Sequence, residues 1–348
     1  MTNKIKATLI TWLMCLALLA TISAAYLINI QGRTLFKLPN QATVLVEVKS
    51  GSNVVQLLKQ MNQRDYLTDT GVLRKLWLKT NPHLSQIKAG WYQLSHDQSL
   101  VSWLSEVAKG EVITHKITLV EGQTLWEWLA KMSSTGLINI DVKFDEGNFR
   151  YTDLTGRVWS EGTYLPETYQ FTHLASATSI LRQAKQAQVD TLNQLLSEYE
   201  LPELIPSKAQ WITLASIIEK ETGAAHEREH IAGVFLNRLS RNMRLQTDPT
   251  VIYGIGPSFD GDITREHLKT PTPFNTYTMK GLPPSPIAAP SKAALESVLK
   301  PLATQDLYFV AKGNGEHHFS ETLQEHNQAA VRCLATALFV LGNASSLL

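Results

Sequence analysis

Two acidic residues, Glu219 and Glu221, close the helix-patterned run Leu214-Ala-Ser-Ile-Ile-Glu-Lys-Glu-Thr-Gly223. A carboxyl group in the last turn of a partly buried helix feels the unpaired carbonyls there, whose partial negative charge raises its pKa. Raised in this way, it can serve as a general acid near neutral pH. Side chains two positions apart on a helix point about 200° away from each other, so these two glutamates do not form a carboxylate dyad. The apolar stripe through Trp211 and Ile218 leaves both on its margins. Glu221 lies deeper in the last turn, closer to the orphan carbonyls, and is the candidate acid. Two solvated helix-end residues are the other reading of the same pattern.

Beyond this helix come Arg244-Leu-Gln-Thr-Asp-Pro249, Tyr253, Asn275-Thr-Tyr277 and Gly281-Leu-Pro-Pro284. Rings that cover sugar faces, with amides and carboxylates that bind hydroxyls, make a carbohydrate site. Gln246, Asp248, Tyr253, Asn275 and Tyr277 are its candidate substrate-binding residues, and loop-stabilising Asx turns with packed tyrosines are the alternative. A rival motif is His226-Glu227-Arg228-Glu229-His230, a formal H-E-x-x-H match whose histidines would share one helix face and bind zinc as in a metalloprotease. His317-His318 offers a third ligand. Charged Arg228 and Glu229, following the helix-stopping Gly223, favour a charge-paired helix start, so no metal ligand and no cofactor is assigned. Gly254-Ile-Gly256 lacks the third glycine of a dinucleotide fingerprint and reads as a turn, and Gly313-Asn-Gly315 reads as a hairpin turn. No G-x-S-x-G or P-loop pattern supports acyl-serine or nucleotide chemistry.

The elements that must position these residues are mixed. Thr43 to Gly51 is β-rich, and Val54, Leu57, Leu58 and Met61 follow at helical spacing. A similar unit recurs with Ile117 to Gly122 and then Leu125, Trp128, Leu129 and Met132. Between the two, Ala89–Leu94 reads as a strand and Ser99–Ala108 as a helix. Residues 147–169 are turn-rich and aromatic, and Ser176–Tyr199 is a long amphipathic helix. Ser207 is the expected N-cap of the glutamate-bearing helix, with Gly223 as its stop. A helix over about 227–241, a loop-rich stretch over 246–290 and a docking helix over about 328–341 complete an α+β chain.

Ala7 to Ile28 carries no charge, which is about the length a helix needs to cross a bilayer. Lys4 and Lys6 before it favour a cytoplasmic N-terminus, against Arg33 and Lys37 beyond it. A cleaved signal peptide is the competing reading, because Ile22-Ser-Ala-Ala25 contains small residues. The net charge of +1, from 32 basic and 31 acidic residues, lacks the cationic footprint of a nucleic-acid binder. Cys15 and Cys333 are too few for a disulfide framework.

At Ala215-Ser-Ile-Ile-Glu-Lys-Glu-Thr222, Met243 to Gly254, Phe274-Asn-Thr-Tyr277 and Gly281-Leu-Pro-Pro284, the sequence closely resembles the MltG (YceG-like) endolytic murein transglycosylases. The resemblance implies a tail over 1–6, a transmembrane helix over 7–28, a linker over 29–42, a LysM-like module over 43–112 and a catalytic domain over 113–348. It implies a single-pass protein of the bacterial inner membrane, with a cytoplasmic N-terminus and a periplasmic catalytic domain. The implied activity is non-hydrolytic cleavage of the MurNAc–GlcNAc bond within peptidoglycan strands, leaving 1,6-anhydro-MurNAc ends, with Glu221 as the catalytic residue and peptidoglycan synthases as partners. A membrane-tethered peptidoglycan-binding scaffold is the non-enzymatic alternative. An inverting hydrolase would need a second carboxylate, for which Asp248 is the candidate. Pro166-Glu167-Thr168-Tyr169 departs from the family pattern, which has Asp at the position of Glu167.

Overall fold

The computed structural model describes residues 2–38, 42–68 and 71–344. Residues 39–41 of the expected linker and 345–348 of the expected catalytic domain lie outside the described residues. The chain divides into two compact units, Met1–His115 and Lys116–Leu348.

The first unit begins with α1 (Thr2–Asn29). Its apolar stretch is long enough to cross a membrane and is not buried in the protein, leaving Leu9, Trp12, Leu16 and Leu19 exposed. There follow β1 (Val44–Val48), α2 (Val54–Gln63), α3 (Val72–Thr80), β2 (Gly90–Leu94) and α4 (Leu100–Lys109). β1 and β2 pair antiparallel, with Val46 opposite Tyr92. The helical spacing in α2 has its expected outcome, since Val54, Leu57, Leu58 and Met61 all enter the core. α2 starts at a capping box in which Asn53 and Gln56 satisfy each other's backbone N–H groups. α3, which the sequence pattern did not reveal, buries Trp77 and Leu78 beside Arg74.

The second unit takes in most of β3 (Thr114–Thr118), then α5 (Leu125–Ser134), β4 (Ile138–Asn139), β5 (Val142–Asp145), β6 (Arg150–Asp153), β7 (Val158–Trp159), β8 (Thr168–Thr172) and β9 (Ala175–Ser176). β5, β6 and β7 form an antiparallel sheet, β3 pairs with β8, and β4 runs parallel to β9. The turn-rich segment of the sequence is therefore a set of short strands whose aromatic residues, Tyr151, Trp159, Tyr164 and Tyr169, fill a core with Trp128 and Met132 of α5. The two similar units are alike locally: Gly51 and Gly122 both adopt positive φ, at 78° and 70°, and each precedes a helix with a capping box.

Helices dominate from there: α6 (Ala177–Glu198), α7 (Lys208–Glu221), α8 (Arg228–Ser240), α9 (Asp248–Ile255), α10 (Arg265–Lys269) and α11 (Lys292–Leu299). The hairpin β10 (Tyr308–Ala311) and β11 (His317–Ser320) and the helix α12 (Leu323–Ala344) complete the chain. The expected loop at 246–290 thus contains two short helices, and Gly254 lies inside α9 while Gly256, at φ 80°, follows its end. α7 is the central helix of this half. Ser207 caps it as expected, accepting the N–H of Gln210. Every residue from Trp211 to Glu219 is buried, so α7 has no solvent-facing stripe in this stretch. The Trp211 indole donates to Leu295 O of α11 at 2.7 Å, and the neighbouring core draws on Ile231 and Phe235 of α8 and Leu295 and Val298 of α11.

Candidate active site

α7 ends at Glu221 because Thr222 turns extended, at φ −142° and ψ 136°. Gly223 does not act as a left-handed stop, as the pattern had suggested; the side chain of Thr222 sets the turn instead, accepting the N–H of Ala224 at 2.9 Å. The two glutamates then separate completely. Glu219 is not on a solvated margin: Oε2 accepts the backbone N–H of Ser291, the N-cap of α11, at 2.9 Å, and Oε1 meets Arg228 at 3.4 Å. It is committed to holding α7, α8 and α11 together. Glu221 is half-buried, and burial pushes its carboxyl above the ordinary range. The Thr247 hydroxyl and the charges of His317 and Arg238 oppose that rise, while Asp248 adds to it.

Those groups reach Glu221 from α8, α9 and β11. α9 starts beside the glutamate because Gln246 takes a left-handed φ of 50°, Thr247 is the N-cap, and Pro249 sits in the first turn, where its missing N–H costs nothing. A second loop is stitched to this start. Thr247 N–H donates to Thr276 Oγ1 at 3.0 Å, and Gln246 N–H donates to Thr276 O at 3.2 Å. Tyr277 closes the assembly by donating its hydroxyl to Asp248 Oδ1 at 2.6 Å. Thr247 Oγ1 is buried and has no partner of ordinary hydrogen-bond geometry among the described residues.

Of the sequence-derived candidates, Gln246 and Asp248 are exposed and Tyr277 is half-buried, all three in this assembly. Asn275 and Tyr253 are not on its surface. Asn275 is fully buried: Nδ2 reaches the carbonyls of His267, Leu268 and Thr270, and Oδ1 accepts the N–H of Tyr277. Its amide is the Asx-type brace of the loop, which corrects the expected sugar contact. Tyr253 is buried among Trp126, Phe149 and Phe274, at ring distances of 5.1, 5.5 and 4.8 Å. It packs under α9 and does not present a face to ligand. Glu167 is exposed, and its carbonyl accepts the N–H of Leu119.

Sequence reasoning missed Thr222, Glu227 and Arg238 as parts of this neighbourhood, and weighed His317 only as a metal ligand. Arg238 is buried with Nη1 on Leu245 O at 2.8 Å and its guanidinium 5.2 Å from the Tyr308 ring centroid. No spacing rule points to it. The rival H-E-x-x-H motif does not place its two histidines on one helix face. α8 begins at Arg228, so His226 precedes the helix on a 3₁₀ turn. His226 meets Glu316 at 3.8 Å, while His230 bonds Asp306 at 2.7 Å. No group of three or more His, Cys, Asp or Glu suited to a metal occurs among the described residues.

The model of the YceG-like family matches residues 46–332, which is more than half of the chain. The chain belongs to the YceG-like family. This YceG-like chain is 29% identical over 317 residues to the endolytic murein transglycosylase of Bacillus subtilis (strain 168), covering 85% of the chain and 86% of that protein. It is 27% identical over 364 residues to the endolytic murein transglycosylase of Streptococcus pneumoniae serotype 2 (strain D39 / NCTC 7466), covering 94% of the chain and 65% of that protein. A solved YceG-like protein from Listeria monocytogenes is 27% identical, with 83% of this chain and 99% of that one covered at a TM-score of 0.47. The family match spans Glu221, Asp248, Tyr277 and His317 and begins beyond α1.

Proposed function

We propose that this chain is an endolytic murein transglycosylase, a lyase that cuts MurNAc–GlcNAc bonds within peptidoglycan strands and leaves 1,6-anhydro-MurNAc ends. The observation that carries the reading is Glu221, a half-buried carboxyl at the end of a buried helix whose proton is held up by that burial. In the cycle, protonated Glu221 donates to the leaving O4 of GlcNAc as an oxocarbenium-like centre develops at C1 of MurNAc. The resulting carboxylate takes the proton of the MurNAc C6 hydroxyl, and the C6 oxygen closes on C1. Glu221 regains its proton and no water is consumed. Gln246, Asp248 and Tyr277 line the exposed side of the assembly and position the strand. Asn275 and Tyr253 hold the loop and α9 beneath them.

The same reading extends to the N-terminal unit. α1 anchors the enzyme in the inner membrane with its N-terminus in the cytoplasm, and residues 43–112 act as a LysM-like glycan-binding module, a role compatible with their antiparallel β1–β2 pair and flanking helices. The enzyme trims or terminates nascent strands beside peptidoglycan synthases.

Mass spectrometry of products from purified glycan strands tests the reaction. Anhydro-MurNAc ends from the wild type, and none from Glu221→Gln, are expected. Reducing MurNAc ends would sink the lyase reading and turn attention to Asp248 as the base of a hydrolase. Strand binding with no cleavage, and wild-type behaviour of Glu221→Gln in cells, would favour a scaffold.

A further inference from the structure

We propose that the exposed face of α3, with the adjoining segment 30–38, docks on the phosphate layer of the bilayer that α1 crosses, and that anionic lipid is what it binds. The inference rests on α1 being the membrane anchor and concerns the N-terminal unit alone. Docking of this kind holds that unit against the membrane surface at a fixed height.

Residues 30–38 follow α1 as packed chain. Ile28, in the last turn of α1, already packs against the core of the unit. Gln31 and Gly32 are buried, and Gly32 lies so close to the Trp77 indole of α3 that a Cβ there would come within 2.7 Å of Cζ2. Phe36 meets the Trp103 ring edge-on at 5.5 Å. Leu100 N–H donates to Thr34 O at 2.9 Å, and Lys37 N–H donates to Tyr66 O at 2.8 Å. These contacts hold α3 at the end of the apolar helix. Val72 is five positions from Trp77, about 7.5 Å along the helix axis, and the headgroup layer on each side of the hydrocarbon is roughly 5–8 Å deep. The start of α3 is therefore about one headgroup depth from the contact with Gly32.

The side of α3 turned away from the core suits such a layer. Arg74, Trp77 and Leu78 are buried, while Val72, Lys75, Leu76 and Lys79 are exposed. Those four positions are spaced i, i+3, i+4 and i+7, which is one face of a helix, so two ammonium groups share it with two aliphatic side chains. Val72 is 69% exposed and Leu76 39%, apolar surface that a lipid interface removes from water. Arg33, Leu35 and Lys37 are exposed on the segment after α1. Residues 30–38 and α3 together contain Arg33, Lys37, Arg74, Lys75 and Lys79 and no acid. Among the described residues, Arg33, Lys37, Lys75 and Lys79 form no ion pair. Beside this face, α2 and α3 border a groove of about 390 Å³, lined by Val55, Leu58, Lys59, Lys75 and Leu78 among others. Aliphatic walls with ammonium groups complement a lipid whose phosphate carries the net charge, and each lysine near an anionic surface strengthens attachment by roughly fivefold.

The test is spin labelling of the full-length protein reconstituted in vesicles, with Cys15→Ser and Cys333→Ser removing the native thiols and a nitroxide attached at Val72→Cys or at Leu76→Cys. In vesicles of phosphatidylglycerol and phosphatidylcholine, both labels should collide with lipid-dissolved oxygen in preference to an aqueous nickel chelate. With Lys75→Gln and Lys79→Gln combined, the ratio of docked to undocked signal should fall by roughly 25-fold, fivefold for each lysine. Phosphatidylcholine alone should lower it in the protein that keeps both lysines. Labels that meet the nickel chelate freely in anionic vesicles would overturn the proposal, as would docking indifferent to lipid charge and to the lysine variants. Insertion of α1 is read separately, by retention of the chain in the vesicles after an alkaline wash. Retention with water-exposed labels keeps the anchor and removes the docking face, whereas loss of the chain from the vesicles removes the anchor reading and the proposal with it.

Discussion

Tyr277 donates its hydroxyl to Asp248 Oδ1 at 2.6 Å and thereby joins a loop braced by Asn275 to the first turn of α9. Burial, and then the bond to Asp248, push the Tyr277 phenol above its ordinary range, so it remains a donor throughout the working pH range. Tyr277→Phe removes the bond and keeps the ring. A hydrogen bond to a charged group contributes about 1.5–3 kcal/mol, less where solvent reaches it as here. KM for glycan strands should rise by roughly threefold to tenfold, with kcat and Tm little changed in steady-state kinetics and thermal melts.

Glu219 and Glu221 should fail in different ways when changed to Gln. Glu219→Gln breaks the pair with Arg228 and weakens the acceptor for Ser291, a cost of about 1–3 kcal/mol. It should lower Tm, while the molecules still folded produce anhydro ends at the wild-type rate. Glu221→Gln should lose activity by about 10²–10⁴-fold. Its stability should match or exceed that of the wild type at alkaline pH, where the native glutamate must ionise in a buried setting. Melting curves and product analysis of the two variants together separate the acid that ties helices together from the acid proposed to carry the chemistry.

Stability should also carry a signature of Glu161. This carboxyl is buried at the start of α5, where it accepts the N–H of Leu125 at 3.0 Å and the hydroxyl of Tyr151 at 3.1 Å, and burial pushes it up to about 7. The folded state therefore binds its proton more tightly than the unfolded chain. The stabilisation is fully present below the ordinary carboxylate pKa and is lost as pH rises towards about 7, amounting to about 3 kcal/mol. Denaturant titrations from pH 4 to 8 should show that decline in the wild type and a flatter profile in Glu161→Gln.

Much of the fold was legible before any coordinates. The spacing of Val54, Leu57, Leu58 and Met61, and of Leu125, Trp128, Leu129 and Met132, announces two helices whose apolar faces are buried. Side chains at those intervals share one face, and one face is all that a core contact requires. Ser207 marks the start of α7 in the same local way. The short strands between 142 and 172 were hidden because they are only two to five residues long and their turns dominate the local composition, and because β8 pairs with the distant β3. α3 was hidden by its Arg and Lys residues, since Arg74 lies on its buried face.

By itself, the sequence determined that one helix ends in two acids, that polar and aromatic loops follow, and that the two acids cannot form a pair. These are consequences of helical geometry and residue type, which act over a few positions. Only the tertiary structure decided what surrounds each acid. Ser291 and Arg228 claim Glu219, while burial together with Thr247, His317, Arg238 and Asp248 surrounds Glu221. It also moved Asn275 and Tyr253 into the interior and turned Glu227 from a motif residue into a clasp for His317. Electrostatics and hydrogen bonding depend on separation in space, and residues such as Glu227 and His317 meet only when the chain has folded.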